Sequence, residues 1–440
     1  MMGSTWTLVL MFGLTTGLSR GAALVSVPLL AGWLGLEDLG LFALVQTGAQ
    51  IFLSLFSLNG ATAILREGTG DRRAGLRIFA QFAAITLCIG GCATALTFAV
   101  DHSRLHWWTV MVLLGTTEAL QNLGTAWLRS RDANGWFVAL AVTKATATLL
   151  LVGGVGWYGW RLPELFQGLL AIGVMMAALP LLGLGVRWFQ EHRRLPAAAG
   201  PALSALLAYT LPLIPHAVGQ WVINGSGRFV VKAFQGDAAV GLYSLAATAG
   251  MVLLLLNSGL GMVLPQEIVR HYEQWKTGVR RRQLIEIYSL VAVLLLGGVF
   301  AALELDRRWL HITGCDDPGL PLMVGLIGTG LYCHGLYYIY GNFYFYHRAT
   351  GQLAVQTLAA AVVNLALTSA LTPVWGPLGA AIATLLTYLA YLGFVVFGLR
   401  KLEPQILSLV NQDAWLLVGP AMSMGLAGWM LMMFRGWAPA

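Results

Sequence analysis

The chain has 440 residues, of which 58% are hydrophobic and 10% charged, with a mean hydropathy of +0.72. A soluble protein carries about a quarter of its residues as Asp, Glu, Lys or Arg, so this composition excludes a cytosolic enzyme, a nucleic-acid-binding domain and a secreted disulfide scaffold. The formal net charge of +7 fits a membrane protein whose cytoplasmic loops hold the excess Lys and Arg.

A helix crossing the hydrocarbon needs about 20 apolar residues, and about thirteen such runs follow one another. The first six are Trp6 to Trp33, Gly40 to Leu65, Leu76 to Val100, Trp107 to Leu128, Trp136 to Trp157 and Leu165 to Val186. The next six are Leu203 to Phe234, Val240 to Pro265, Leu284 to Leu303, Leu320 to Phe345, Leu353 to Pro373 and Leu378 to Leu399, and a last one runs from Ala414 to Phe434. The first run lacks a basic leader and exceeds the apolar core of a signal peptide, so it is expected to remain as a spanning helix. Cys88, Cys92 and Cys333 fall inside apolar runs and Cys315 in a loop, a spacing without a disulfide or metal framework.

If the first span leaves the cytoplasm, 17 of the 26 Lys and Arg fall in the inner breaks and 5 in the outer ones. The positive-inside rule therefore predicts a cytoplasmic N-terminus. On this orientation the breaks at Gly68 to Gly75 and Glu267 to Gln283 are inside, and Glu304 to Gly319 is outside.

A gapless repeat sets the expected architecture. Gly35-Leu36-Glu37-Asp38-Leu39-Gly40-Leu41-Phe42-Ala43-Leu44 aligns with Gly236-Asp237-Ala238-Ala239-Val240-Gly241-Leu242-Tyr243-Ser244-Leu245 at an offset of 201. Six spans separate the copies, so the halves share an orientation and a pseudo-twofold along the membrane normal relates them. The expected fold is an all-α membrane protein of two six-helix lobes plus one C-terminal helix. The lobes are residues 1–189 and 203–400, joined by a cytoplasmic linker at 190–202 that carries basic residues and two prolines, and the extra helix lies within 401–440.

Four cations lie inside spans: Arg20, Lys144, Arg228 and Lys232. Ionisable groups at that depth are costly and normally face protein or a wet cavity for function. Arg228 and Lys232 continue a polar stripe from Trp221 and Asn224 at i, i+3, i+7 and i+11. Arg20, Arg228, Lys232, Lys144 and Asn224 are the candidate binding residues for an anion, since Arg grips phosphate through two parallel hydrogen bonds. Both lysines could instead snorkel to the interfaces. Glu118 is the one carboxylate near mid-span, either an ion-coupling group for H⁺ or Na⁺ or a structural partner of Lys144. Pro212 and Pro215 are candidate hinge residues at the start of the seventh span. The aromatic run Tyr337 to Tyr346 reads as an interfacial belt or as stacking surface for sugars. No nucleotide-binding, metalloprotease, nucleophile-elbow or zinc motif appears, so the chain reads as a transporter rather than an enzyme, with no metal and no cofactor beyond a coupling ion.

The chain resembles the polysaccharide-transporter branch of the multidrug/oligosaccharidyl-lipid/polysaccharide transporter superfamily, the flippases of lipid-linked oligosaccharides. The first half carries the resemblance in Arg20, Pro28-Leu29-Leu30-Ala31, Leu34-Gly35, Leu39-Gly40-Leu41-Phe42 and Arg66-Glu67. The second carries it in Leu211-Pro212-Leu213-Ile214-Pro215-His216, Arg228 and Ala239-Val240-Gly241-Leu242-Tyr243-Ser244. The best match is Asn364, Pro373 and Gly376-Pro377-Leu378-Gly379-Ala380-Ala381-Ile382-Ala383-Thr384. Two departures stand out: Gly227 precedes Arg228 where many members have Asp, and Thr368 replaces a second Asn. The resemblance implies a cationic central cavity, open alternately to each side, that moves a polyprenyl-diphosphate-linked oligosaccharide from the inner to the outer leaflet. It also implies work beside membrane lipids, a polysaccharide polymerase and a chain-length regulator, in exopolysaccharide or O-antigen synthesis. Two alternatives remain at this level. A polymerase or ligase acting on the same lipids would need more than the sixteen-residue outer loop Glu304 to Gly319. A multidrug antiporter would need an acidic cavity.

Overall fold

The computed structural model describes residues 2–69, 72–100, 106–192, 201–276, 278–347 and 349–437. The expected linker at 190–202 therefore lies mostly outside the described residues. Those described are helical almost throughout and contain no strand. Among them, nine helices are long and apolar enough to cross a membrane, and the chain is a multi-pass membrane protein.

The helices are α1 Met2–Phe56, α2 Gly60–Gly68, α3 Arg72–Val100, α4 Trp107–Ser130, α5 Asn134–Tyr158, α6 Leu162–His192 and α7 Leu203–Thr210. After a 3₁₀ turn at Leu211–Leu213 come α8 Ile214–Gly250, α9 Leu253–Arg270, α10 Tyr272–Lys276, α11 Val279–Leu305, α12 Leu320–Tyr346, α13 Thr350–Leu399 and α14 Ile406–Trp437. Three of them each carry two expected spans around a glycine bend: Gly35 in α1, Gly236 in α8 and Gly376 in α13. Expected spans two and eight are not continuous. The former breaks at Leu58 and Asn59, both left-handed, and the latter between α8 and α9.

The sequence repeat is also a repeat of backbone geometry. Gly35 has φ 83° and ψ 170°, and its mate Gly236 has φ 82° and ψ −174°, a conformation that only glycine adopts without strain. The two copies also meet. A Cβ on Gly40 would lie 2.9 Å from the carbonyl carbon of Asp237, and one on Gly241 would lie 2.7 Å from that of Leu36. Leu36 and Asp237 are repeat mates, as are Gly40 and Gly241, so each copy makes on the other the contact it receives. That reciprocity is the signature of a twofold.

By compactness the chain divides into one unit of Met1–Leu41 with Val222–Ala440 and another of Phe42–Trp221. In the first, α12 is the central helix, packed against α9, α11, α13 and α14, and its Tyr332, Tyr340 and Phe343 are fully buried. The expected aromatic belt is thus corrected. Tyr337, Tyr340 and Tyr344 are core residues, and Phe345 and Tyr346 are exposed. In the second unit Ile64, Phe79, Phe82, Leu123, Trp127 and Leu206 form one apolar core. Small residues permit close helix approach there, as where Gly124 meets the Pro180 ring.

Candidate functional site

Arg228 sits in α8, eight residues before the Gly236 bend, so the returning arm of the same helix packs alongside it. Its Nε donates to Ser244 Oγ at 3.1 Å and its Nη1 to the Asn224 carbonyl at 3.4 Å. Its residue exposure is 8%, and among the described residues no carboxylate pairs with it. Placing a guanidinium in a membrane span costs about 3 kcal/mol on insertion scales, and neutral acceptors leave its charge uncompensated.

Further polar contacts lie on the same arms of α8 and on α13, in three separate groups. Tyr388 on α13 donates its hydroxyl to Asn224 Oδ1 at 2.7 Å, which fixes the exposed amide. The Tyr243 and Thr384 hydroxyls lie 3.1 Å apart. Two residues before Arg228, Ser226 donates to Asn364 Oδ1 at 3.3 Å, and Asn364 Nδ2 donates to Thr387 Oγ1 at 3.1 Å. Every partner is neutral. Among the described residues no acid takes the place of the one missing at Gly227.

Lys232 takes a different environment, with its ammonium on Asp237 Oδ2 just past the bend. It is thus paired at the Gly236 bend within α8, while the other oxygen of Asp237 is buried without a hydrogen-bond partner among the described residues. The remaining member of the stripe, Trp221, donates its indole N–H to the Thr47 carbonyl at 2.8 Å within the second unit. The backbone of Arg20 is helical in α1, and its side chain lies outside the described residues.

The second unit brings Glu118 and Lys144 together. Lys144 Nζ is 3.6 Å from Glu118 Oε1 and donates to Gln121 Oε1 at 2.9 Å. Glu118 Oε2 accepts from Gln50 Nε2 at 2.8 Å. Four residues from α1, α4 and α5 therefore form one chain of contacts in which the charges cancel. Pro212 lies in the 3₁₀ turn that divides α7 from α8, and Pro215 in the first turn of α8. The missing N–H of proline and its clash with the preceding turn account for the interruption.

Sequence reasoning missed Ser244, Tyr388, Gln50 and Gln121. It also placed Arg281 among loop charges, whereas Arg281 Nε donates to Asp413 Oδ2 at 2.8 Å with side-chain exposures of 1% and 2%. The amides had a visible signal, since Thr47, Gln50 and Ser54 recur at helical spacing in an apolar span. The Arg281–Asp413 pair had none, because 132 residues separate the partners.

No family model matches the chain, and no curated protein matches its sequence. Its fold is shared with solved transporters. The lipid II flippase MurJ in an inward closed conformation aligns with a TM-score of 0.66 at 14% identity, over 97% of this chain and 98% of that one. An inward-facing multidrug resistance transporter of the MATE family, of the MOP superfamily, aligns with a TM-score of 0.60 at 14% identity, over 91% and 96%. The MATE multidrug transporter DinF-BH aligns with a TM-score of 0.58 at 15% identity, over 90% and 94%.

Proposed function

We propose that this chain flips a polyprenyl-diphosphate-linked oligosaccharide from the cytoplasmic to the periplasmic leaflet of the bacterial inner membrane by alternating access. The observation that carries the reading is Arg228, a buried guanidinium in a membrane helix whose partners are all neutral oxygens. A diphosphate supplies the missing charge, and the planar donor fork suits its oxygens. The fold shared with a protein named as a lipid II flippase supports the same class of substrate. Arg20, fifteen residues before the Gly35 bend of α1, is the second diphosphate ligand in this reading. Glu118 is its candidate for H⁺ or Na⁺ coupling.

The MATE likenesses keep a multidrug antiporter in view, but an organic cation would be repelled by Arg228. Export of the surface polymer in a strain lacking the chain tests the reading, with protein levels checked by blot. Arg228→Ala nearly stops export. Arg228→Lys keeps the charge, loses the fork and supports partial export. Full complementation by the Arg20→Ala, Arg228→Ala double variant overturns the reading, and drug-driven ion exchange in its place identifies the antiporter.

A further inference from the structure

The contacts around Glu118 and Lys144 satisfy only half of each neighbouring amide. Gln50 uses Nε2 on Glu118, which turns its Oε1 away as an acceptor. Gln121 uses Oε1 on Lys144, which turns its Nε2 away as a donor. Neither outward atom has a partner among the described residues, and neither is among the buried unsatisfied atoms. The ion pair thus orients two amides, one presenting an acceptor and the other a donor.

Gln50 and Lys144 stand on helices long and apolar enough to cross a membrane, and α4 with Glu118 packs against α5 with Lys144. Glu118 is eleven residues into α4 and Lys144 ten into α5, depths of roughly 15 Å at 1.5 Å per residue. Side-chain exposures of 34% for Lys144 and 16% for Glu118 are not those of a sealed core. Hydrocarbon against a partly exposed lysine and its carboxylate partner is unfavourable, so the open side faces water or a polar ligand. Thr47 and Ser54 flank Gln50 on its helix but bond back to the carbonyls four residues earlier, which leaves the amides as the oriented groups.

A ligand that meets this surface needs donors and acceptors together and no net charge. Phosphate has only acceptors to offer an anion-binding site, and a lipid tail has neither. A sugar hydroxyl donates and accepts at once. We propose that Gln50 Oε1 and Gln121 Nε2 form a subsite for the uncharged hydroxyls of the oligosaccharide, with Glu118 and Lys144 as positioning residues. The proposal rests on the flippase reading and adds to it a sugar-recognition site on the unit formed by Phe42–Trp221, apart from the Arg228 group.

The test compares two probes on purified protein in lipid nanodiscs free of sugar detergents. One is polyprenyl diphosphate; the other is the pool of polyprenyl-diphosphate-linked oligosaccharides extracted from the source cells. The readout is the ratio of the two affinities, which cancels general damage to the fold. The wild type binds the glycosylated pool more tightly, and Gln50→Ala and Gln121→Ala each lower the ratio about three- to tenfold, the worth of one hydrogen bond. Gln121→Glu keeps an acceptor for Lys144 while losing the outward donor, and lowers the ratio alike. An unchanged ratio in these variants, or equal binding of both probes by the wild type, overturns the subsite. Arg228→Ala lowers both affinities and leaves the ratio. If it leaves both affinities at the wild-type value, the diphosphate reading fails instead.

Discussion

The reciprocal crossing at Gly40 and Gly241 predicts a large effect from a single methyl group. In Gly40→Ala the new Cβ would stand 2.9 Å from the Asp237 carbonyl carbon and 3.0 Å from the Gly241 nitrogen. Carbon atoms pack best at about 3.5 Å or more, and both obstacles are backbone, so the two arms must part by roughly half an ångström or more. Overpacking of this kind costs about 1–3 kcal/mol. If the crossing closes one side of the transporter, that penalty falls on the closed state alone and raises the open population by about 5- to 150-fold. Val240, fully buried beside the crossing, reports the change as Val240→Cys in a cysteine-free background in nanodiscs. Its reaction with a membrane-impermeant thiol reagent accelerates at least about fivefold in Gly40→Ala and in Gly241→Ala. The double variant gains little more, because one separation relieves both clashes. Gly298→Ala, where nothing lies within 4 Å, leaves the rate alone. Unchanged labelling in a folded Gly40→Ala protein would refute the reasoning, since the crossing would then be no part of a closure.

What was legible in the sequence was whatever is periodic or local. Thirteen apolar runs announced the helices, and ten aligned residues announced a glycine bend that recurs within 1° in φ. The position of Arg228 in a span and its lack of a neighbouring acid were equally readable. The break of the second span had only the Asn59-Gly60 pair as a signal, and the left-handed Leu58 beside it had none. The fate of the other cations depended on partners brought near by folding. Lys232 meets Asp237 across a bend of five residues, a pairing within reach of inspection. Lys144 meets Gln121 and Glu118 across two helices, and only the pairing with Glu118 was foreseen. The aromatic run on α12 misled because a belt and a core use the same rings, and only the packing of α13 and α14 against α12 decides between them.

Glu118→Gln removes titration at nearly constant size. In proteoliposomes it should abolish gradient-driven movement while polyprenyl diphosphate still binds, and normal gradient dependence would leave Glu118 with its pairing role alone. In intact spheroplasts lacking the natural cysteines, an impermeant thiol reagent should label Asp316→Cys and not Glu273→Cys, both exposed positions; the reverse pattern would overturn a cytoplasmic N-terminus. The last expectation concerns α14, the helix outside the repeat. It is held to α11 near both ends, by Asp413 on Arg281 and by Arg435 on Glu304, each at 2.8 Å. The anchors are 22 residues apart on α14 and 23 on α11, roughly 33 Å at 1.5 Å per residue, close to the hydrocarbon thickness of about 30 Å. Asp413→Ala leaves the Arg281 guanidinium enclosed with only the Trp275 carbonyl, and breaking a buried pair in this way costs about 3–5 kcal/mol. Its thermal midpoint in detergent should fall well below that of the wild type, whereas Arg281→Met with Asp413→Leu should recover most of the loss, because no stranded charge remains. Arg435→Ala should cost less, since Glu304 keeps Arg307 and Arg308. A double variant as unstable as Asp413→Ala would mean that the pair itself, and not the avoidance of a lone buried charge, holds α14 in place.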